Sequence, residues 1–190
     1  MSQAQGVSAK EALARMQEAL SRANSYQRLP LMLECVAWCN GQAWLQELGN
    51  EWSGFDNVGA FADEIIEAVQ LANDGDGYPI QAMMNEGELQ AFHSLPDVVT
   101  VYRGCYEANK WGFCWSLERA VAEQFPFLLR YAGEGRPLLI KAQVRKSDVV
   151  AVKLDRTEAE IITFVRPKCI SISTARAALE ASQQFNKVDV

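Results

Sequence analysis

Apolar residues recur at helical spacing through the first half of the chain and at alternate positions through much of the second, with the change near Pro96. Ser8 and Glu11 have capping-box spacing, and Ala12, Leu13, Met16, Ala19 and Leu20 follow at helical intervals, which predicts a helix over about 9–23. Pro30 suits a first helical turn and opens a second apolar run through Met32, Cys35, Val36, Cys39, Leu45 and Leu48, with a bend expected at Gly41 and a stop at Gly49. A third helix from near Asp56 buries Phe61, Ile65, Ala68, Val69 and Ala72 and ends in Asn73-Asp74-Gly75-Asp76-Gly77. Pro79 to Phe92 reads as a fourth, weaker helix.

Beyond Pro96 the period becomes two. Val99, Val101 and Arg103 share one strand face, and Leu138, Ile140, Ala142 and Val144 alternate with Leu139, Lys141, Gln143 and Arg145. Further strands are expected at 112–115, 149–153, 158–165 and 169–173, with a helix from Leu117 to about Phe125 that Pro126 ends or kinks. The fold class is therefore α+β. With no repeat and no low-complexity linker, residues 1–190 are expected to form a single domain: a helical part (1–96), a strand-rich core (97–174) and a C-terminal helix or tail (175–190).

Composition narrows the function classes. A chain of 190 residues, 49% apolar, can bury one substantial core. A formal charge of −6 argues against tracking nucleic-acid phosphates, which takes clustered Lys and Arg. No apolar stretch approaches the ~20 residues that span a bilayer, and the first residues lack a basic-then-apolar signal, so a cytoplasmic protein that does not engage membranes is expected. The five cysteines (35, 39, 105, 114 and 169) have no CxxC spacing and His93 is the sole histidine, so reduced thiols and no metal are expected. Asp74-Gly75-Asp76-Gly77 lacks the spacing and terminal glutamate of a calcium loop and reads as a turn.

Three features remain. In Val101-Tyr102-Arg103-Gly104 an always-charged guanidinium ends a strand, suited to a phosphate or carboxylate, whether a ligand's or a structural partner's. In Gly112-Phe113-Cys114-Trp115-Ser116, leading into the helix that ends at Phe125, Ser116 stands at a strand-to-helix junction, either capping the helix or presented to a ligand. In Glu158-Ala159-Glu160 two carboxylates head an apolar strand; spacing of two puts them on one face, where like charges repel each other unless function or solvent accounts for them.

Arginine, then an aromatic–serine junction, then Glu-x-Glu resembles the arginine–serine–glutamate class of mono-ADP-ribosyltransferases over about 98–165, including short bacterial and phage proteins. The resemblance implies a helical N-terminal half packed on a split antiparallel β-sandwich, with NAD as substrate and a protein acceptor. It implies that Glu160 stabilises the oxocarbenium ion formed as nicotinamide leaves, that Arg103 grips the NAD phosphates or adjacent ribose, and that Ser116 supports Glu160 and the ribose. Tyr102, Gly104 and Cys114 would line the cofactor, and Trp115 or Phe125 would cover the nicotinamide ring, although Phe125 better fits the core face of its helix. Glu158 would activate an acceptor, arginine favoured, and the loop 154–157 would meet the target. Cys114 and Trp115 stand where the family has serine and threonine, and a thiol is a poor donor. The alternatives are a catalytically impaired relative that binds NAD, ADP-ribose or a partner protein, an NAD glycohydrolase, and a helical interaction protein whose first 95 residues carry the function.

Overall fold

The computed structural model describes residues 8–76, 80–154 and 159–176. Glu158, most of the expected target loop and all but the start of the expected C-terminal tail lie outside these residues. The chain divides into two compact units, one ending at Glu86 and the other beginning at Gly87. The boundary falls after the first residue of the last helix before Pro96, so the rest of that helix goes with the strands.

In the first unit α1 (Ala9–Arg22) starts from the expected capping box: the Ser8 hydroxyl accepts from the Glu11 N–H, and the Glu11 carboxylate accepts from the Ser8 N–H at 2.9 Å. The second apolar run is two helices, not one bent helix. Asn24 and Gln27 form another capping box, so α2 (Ser25–Cys35) begins upstream and Pro30 lies inside it. Asn40 then caps a separate α3 (Gly41–Glu51), so Gly41 opens a helix. A short 3-10 turn at Val58–Phe61 leads into α4 (Ala62–Asp76), and another occupies Ile80–Met83. The aspartates of the supposed turn thus end a helix. Met16, Leu20, Leu29, Met32, Trp44, Leu45, Leu48, Ile65, Val69 and Met83 are buried, and the Trp44 indole N–H donates to the Met32 carbonyl at 2.8 Å. Gly41 and Gly49 permit close approach, because a Cβ on either would fall on the carbonyl oxygen of Ala72 or Met83 respectively.

The second unit comprises α5 (Glu86–Ser94), β1 (Val98–Cys105), β2 (Cys114–Ser116), α6 (Arg119–Gln124), β3 (Leu138–Arg145), β4 (Ala151–Lys153), β5 (Glu160–Ile162) and β6 (Lys168–Thr174). α6 begins two residues later than expected, with Glu118 as its N-cap, and ends ahead of Pro126, where Phe125–Phe127 is a 3-10 turn. The chain is α+β, as the change of period implied. Its described strands form one antiparallel sheet in the order β4-β5-β2-β1-β3-β6. Within that sheet, β1 pairs with β3 along its whole length, from Val98↔Arg145 to Cys105↔Leu138. Against β2 it makes the single pair Tyr102↔Ser116. The sheet is two three-stranded ladders, β4-β5-β2 and β1-β3-β6, that meet at one point.

Alternation sets the two faces. Val99, Val101 and Cys105 share one with Leu138, Ile140, Ala142 and Val144, and all are buried. α6 lies on the other, where Tyr102 packs on Ala122, Leu139 and Ala175. Gly104 makes this possible: a Cβ there would fall on the Ala122 carbonyl oxygen and near the Pro126 ring at 2.7 Å. No helix among the described residues is long and apolar enough to cross a membrane. Gly104→Ala is expected to cost about 1–3 kcal/mol by forcing α6 off the sheet; an unchanged urea midpoint would show that the helix is not held this closely.

Candidate functional site

One row of residues crosses the sheet in register: Lys153 (β4), Glu160 (β5), Ser116 (β2), Tyr102 (β1), Lys141 (β3) and Ser171 (β6). Directly opposed residues in antiparallel strands have Cβ atoms about 4.5–5.5 Å apart and share a face. Glu160 and Ser116, distant in the chain, are therefore neighbours, with Lys153 flanking Glu160 on its other side. Glu160 is half-buried and Ser116 buried. The Ser116 hydroxyl accepts from the Glu118 N–H at 3.0 Å and lies 3.1 Å from the Glu118 carbonyl, to which it can donate. Glu118 is the N-cap of α6, so Ser116 braces the turn ahead of the helix instead of occupying the cap.

Arg103 does not join that row. Tyr102 and Ser116 share a face, so alternation turns Arg103 and Trp115 to the other. Register pairing brings Ser116 and Glu160 side by side, while the Arg103 guanidinium comes from the opposite side, at the point where β1 and β2 part. There Nη1 donates to the Cys114 carbonyl at 2.7 Å, and Nη2 and Nε donate to the Asn109 carbonyl at 2.9 and 3.3 Å. Its partners in these hydrogen bonds are main-chain carbonyls. Gly112 leaves room, since a Cβ there would sit 2.5 Å from Nη2.

The expected lining residues have varied surroundings. Trp115 is 1% exposed and its indole N–H donates to the Gly112 carbonyl, so it belongs to the core and does not cover a ligand ring as expected. Phe125 is half-buried, with its ring 5.2 Å from that of Tyr131. Cys114 contributes the carbonyl that holds Arg103; Tyr102 and Gly104 contact α6 and its surroundings. None of the five cysteines is in a disulfide, and burial pushes the Cys105 thiol up to about 11, which makes it a poor nucleophile near neutral pH. His93 is exposed at the end of α5, where its carbonyl accepts from Lys146. Among the described residues no cluster of His, Cys, Asp and Glu could hold a metal ion.

The sequence reading missed two features. The loop between β1 and β2 is anchored along its length: the Asn109 side chain accepts from the Tyr106 N–H, Tyr106 donates to the Pro126 carbonyl, and Arg166 stacks 3.8 Å from the Trp111 ring centroid. Lys153 and Glu88 of α5 form an ion pair at 2.9 Å, with side chains only 5% and 1% exposed. A lysine ending the apolar run Val149-Val150-Ala151-Val152 was its signal. A separate hollow in the first unit, lined by Ala12, Met16, Ala19, Leu31, Cys35 and Trp38, is apolar apart from Arg15 and offers no catalytic group. Compared with protein families, curated proteins and solved structures, the chain matches none. Arg103→Ala is expected to cost about 1–3 kcal/mol and to speed amide exchange selectively across residues 106–113; uniform exchange would contradict its role as an anchor.

Proposed function

We propose that the strand-rich unit is an ADP-ribosyltransferase-like domain that binds NAD beside Glu160 and transfers ADP-ribose to a protein side chain, with arginine favoured. The observation that carries the proposal is the direct pairing of Glu160 with Ser116 where the sheet divides. The strands bearing Arg103, Ser116 and Glu160 are consecutive in the order β1-β2-β5, although β3 and β4 intervene in the chain. The two ladders joined at one pair also accord with the split antiparallel architecture that the resemblance implies.

In this reading the bond between nicotinamide and the ribose C1′ breaks with its electron pair leaving on the nicotinamide nitrogen. The cationic charge that develops on the sugar is stabilised by the Glu160 carboxylate, which also accepts from the 2′-hydroxyl. An acceptor nitrogen then bonds to C1′ and gives up a proton, for which Glu158 is the assigned base. Ser116 fixes the strand end next to Glu160. Arg103 keeps an N–H on each terminal nitrogen beyond the hydrogen bonds described, and these suit a phosphate at the end of β1.

The engagement of Arg103 with main-chain carbonyls and the thiol at Cys114 favour a second reading, an impaired relative that binds NAD without cleaving it. The two differ in released nicotinamide and in label left on protein after incubation with labelled NAD and lysate. Glu160→Ala is expected to fold and to lose at least ~100-fold in nicotinamide release, about one strong transition-state contact. Full activity in the folded variant would falsify the assignment, and an NAD-dependent rise in Tm without nicotinamide release would select the second reading.

A further inference from the structure

We infer that Glu88 and Lys153 are a positioning pair for Glu160, an inference that rests on Glu160 being the charge-stabilising carboxylate proposed above. Taking an ammonium and a carboxylate out of water carries a desolvation penalty that their attraction barely offsets, and apolar replacements are often as stable or more so. Stability therefore does not explain a pair buried this completely; its location does. Lys153 is the register partner of Glu160 on β4, as Ser116 is on β2, so Glu160 stands between the two. One Glu88 oxygen accepts from Lys153 Nζ at 2.9 Å and the other from the Leu154 N–H at 3.3 Å. Glu88 thereby fixes both the charge beside Glu160 and the backbone at the end of β4. A lysine so tethered cannot swing away from the row, and it presents a constant electrostatic environment to the carboxylate that must meet a developing cation. Neither residue is assigned contact with NAD.

The test compares the wild-type chain with E88Q/K153M, which removes both charges together, using thermal melting and the steady-state kinetics of nicotinamide release from NAD. The double variant is expected to melt at or above the wild-type temperature. Its kcat is expected to fall at least ~10-fold while KM for NAD stays within ~3-fold, the pattern of a contribution made in the transition state. A folded double variant with wild-type kcat would overturn the inference and leave the proposed function standing. A wild-type chain that releases no nicotinamide would overturn the proposed function and this inference with it. Should the double variant not fold, E88Q alone decides, since its amide can still accept from the Leu154 N–H: a lowered kcat at similar KM supports the pairing role, and an unchanged kcat overturns it.

Discussion

Between β1 and β2 the sheet is held by one register pair, Tyr102↔Ser116. Every other neighbouring pair of strands has a longer ladder. Main-chain groups on either side of such a gap must find partners elsewhere, because a buried carbonyl or N–H left unsatisfied costs about as much as a lost hydrogen bond. Arg103 supplies part of the answer, its guanidinium reaching the Cys114 carbonyl on one side and the Asn109 carbonyl on the other. The glycines around it follow from the same constraint. Gly112 makes space for the guanidinium, and Gly104 lets the Ala122 carbonyl approach the strand. The divided sheet, the anchored loop and the seat of α6 are thus aspects of one local arrangement.

That arrangement leaves a polar row flanked by buried apolar residues on β4, β5, β2 and β1. Val152, Ile161, Trp115 and Val101, each beside a member of the row along its strand, are all at most 1% exposed. A lysine and a glutamate directly opposed within such a setting bring opposite charges close, but one of them, Lys153, is already neutralised by Glu88. Breaking a buried pair by removing one partner typically costs about 3–5 kcal/mol, although the intact pair adds little to stability. Lys153 is consequently held at its end of the row by a pair that is not itself a source of stability.

Legibility in the sequence followed the range of the interactions. The capping box at Ser8 and Glu11, the strand from Leu138 to Arg145 and the end of α6 ahead of Pro126 rest on residues a few positions apart, and all were readable. Pro30 misled because a proline tolerated inside a helix looks the same in sequence as one that begins it; the Asn24–Gln27 capping box was the better guide. The Glu160–Ser116 pairing was anticipated through resemblance, not through local pattern. Arg103 was correctly placed on the face of Val99 and Val101, yet the parity of Ser116 depends on the register between β1 and β2, which no spacing within either strand reveals. Glu88 and Lys153 are 65 residues apart and meet only through tertiary packing.

The parity of Arg103 bears on what chemistry the site can support. A single-residue shift in register would have turned its side chain to the Ser116 face, so its present side is a property of the Tyr102↔Ser116 pair and not of chain flexibility. An extended dinucleotide does not require all its contacts to come from one sheet face. On the proposed reading, a phosphate bound by Arg103 where the ladder stops after Tyr102 and Ser116 would be contacted from the face opposite to that of a ribose beside Glu160. The remaining N–H groups of Arg103 would then add a ligand bond without surrendering those that hold the loop. Such an arrangement would tie phosphate binding to the integrity of the 106–113 loop, making the arginine a strut first and a ligand contact second.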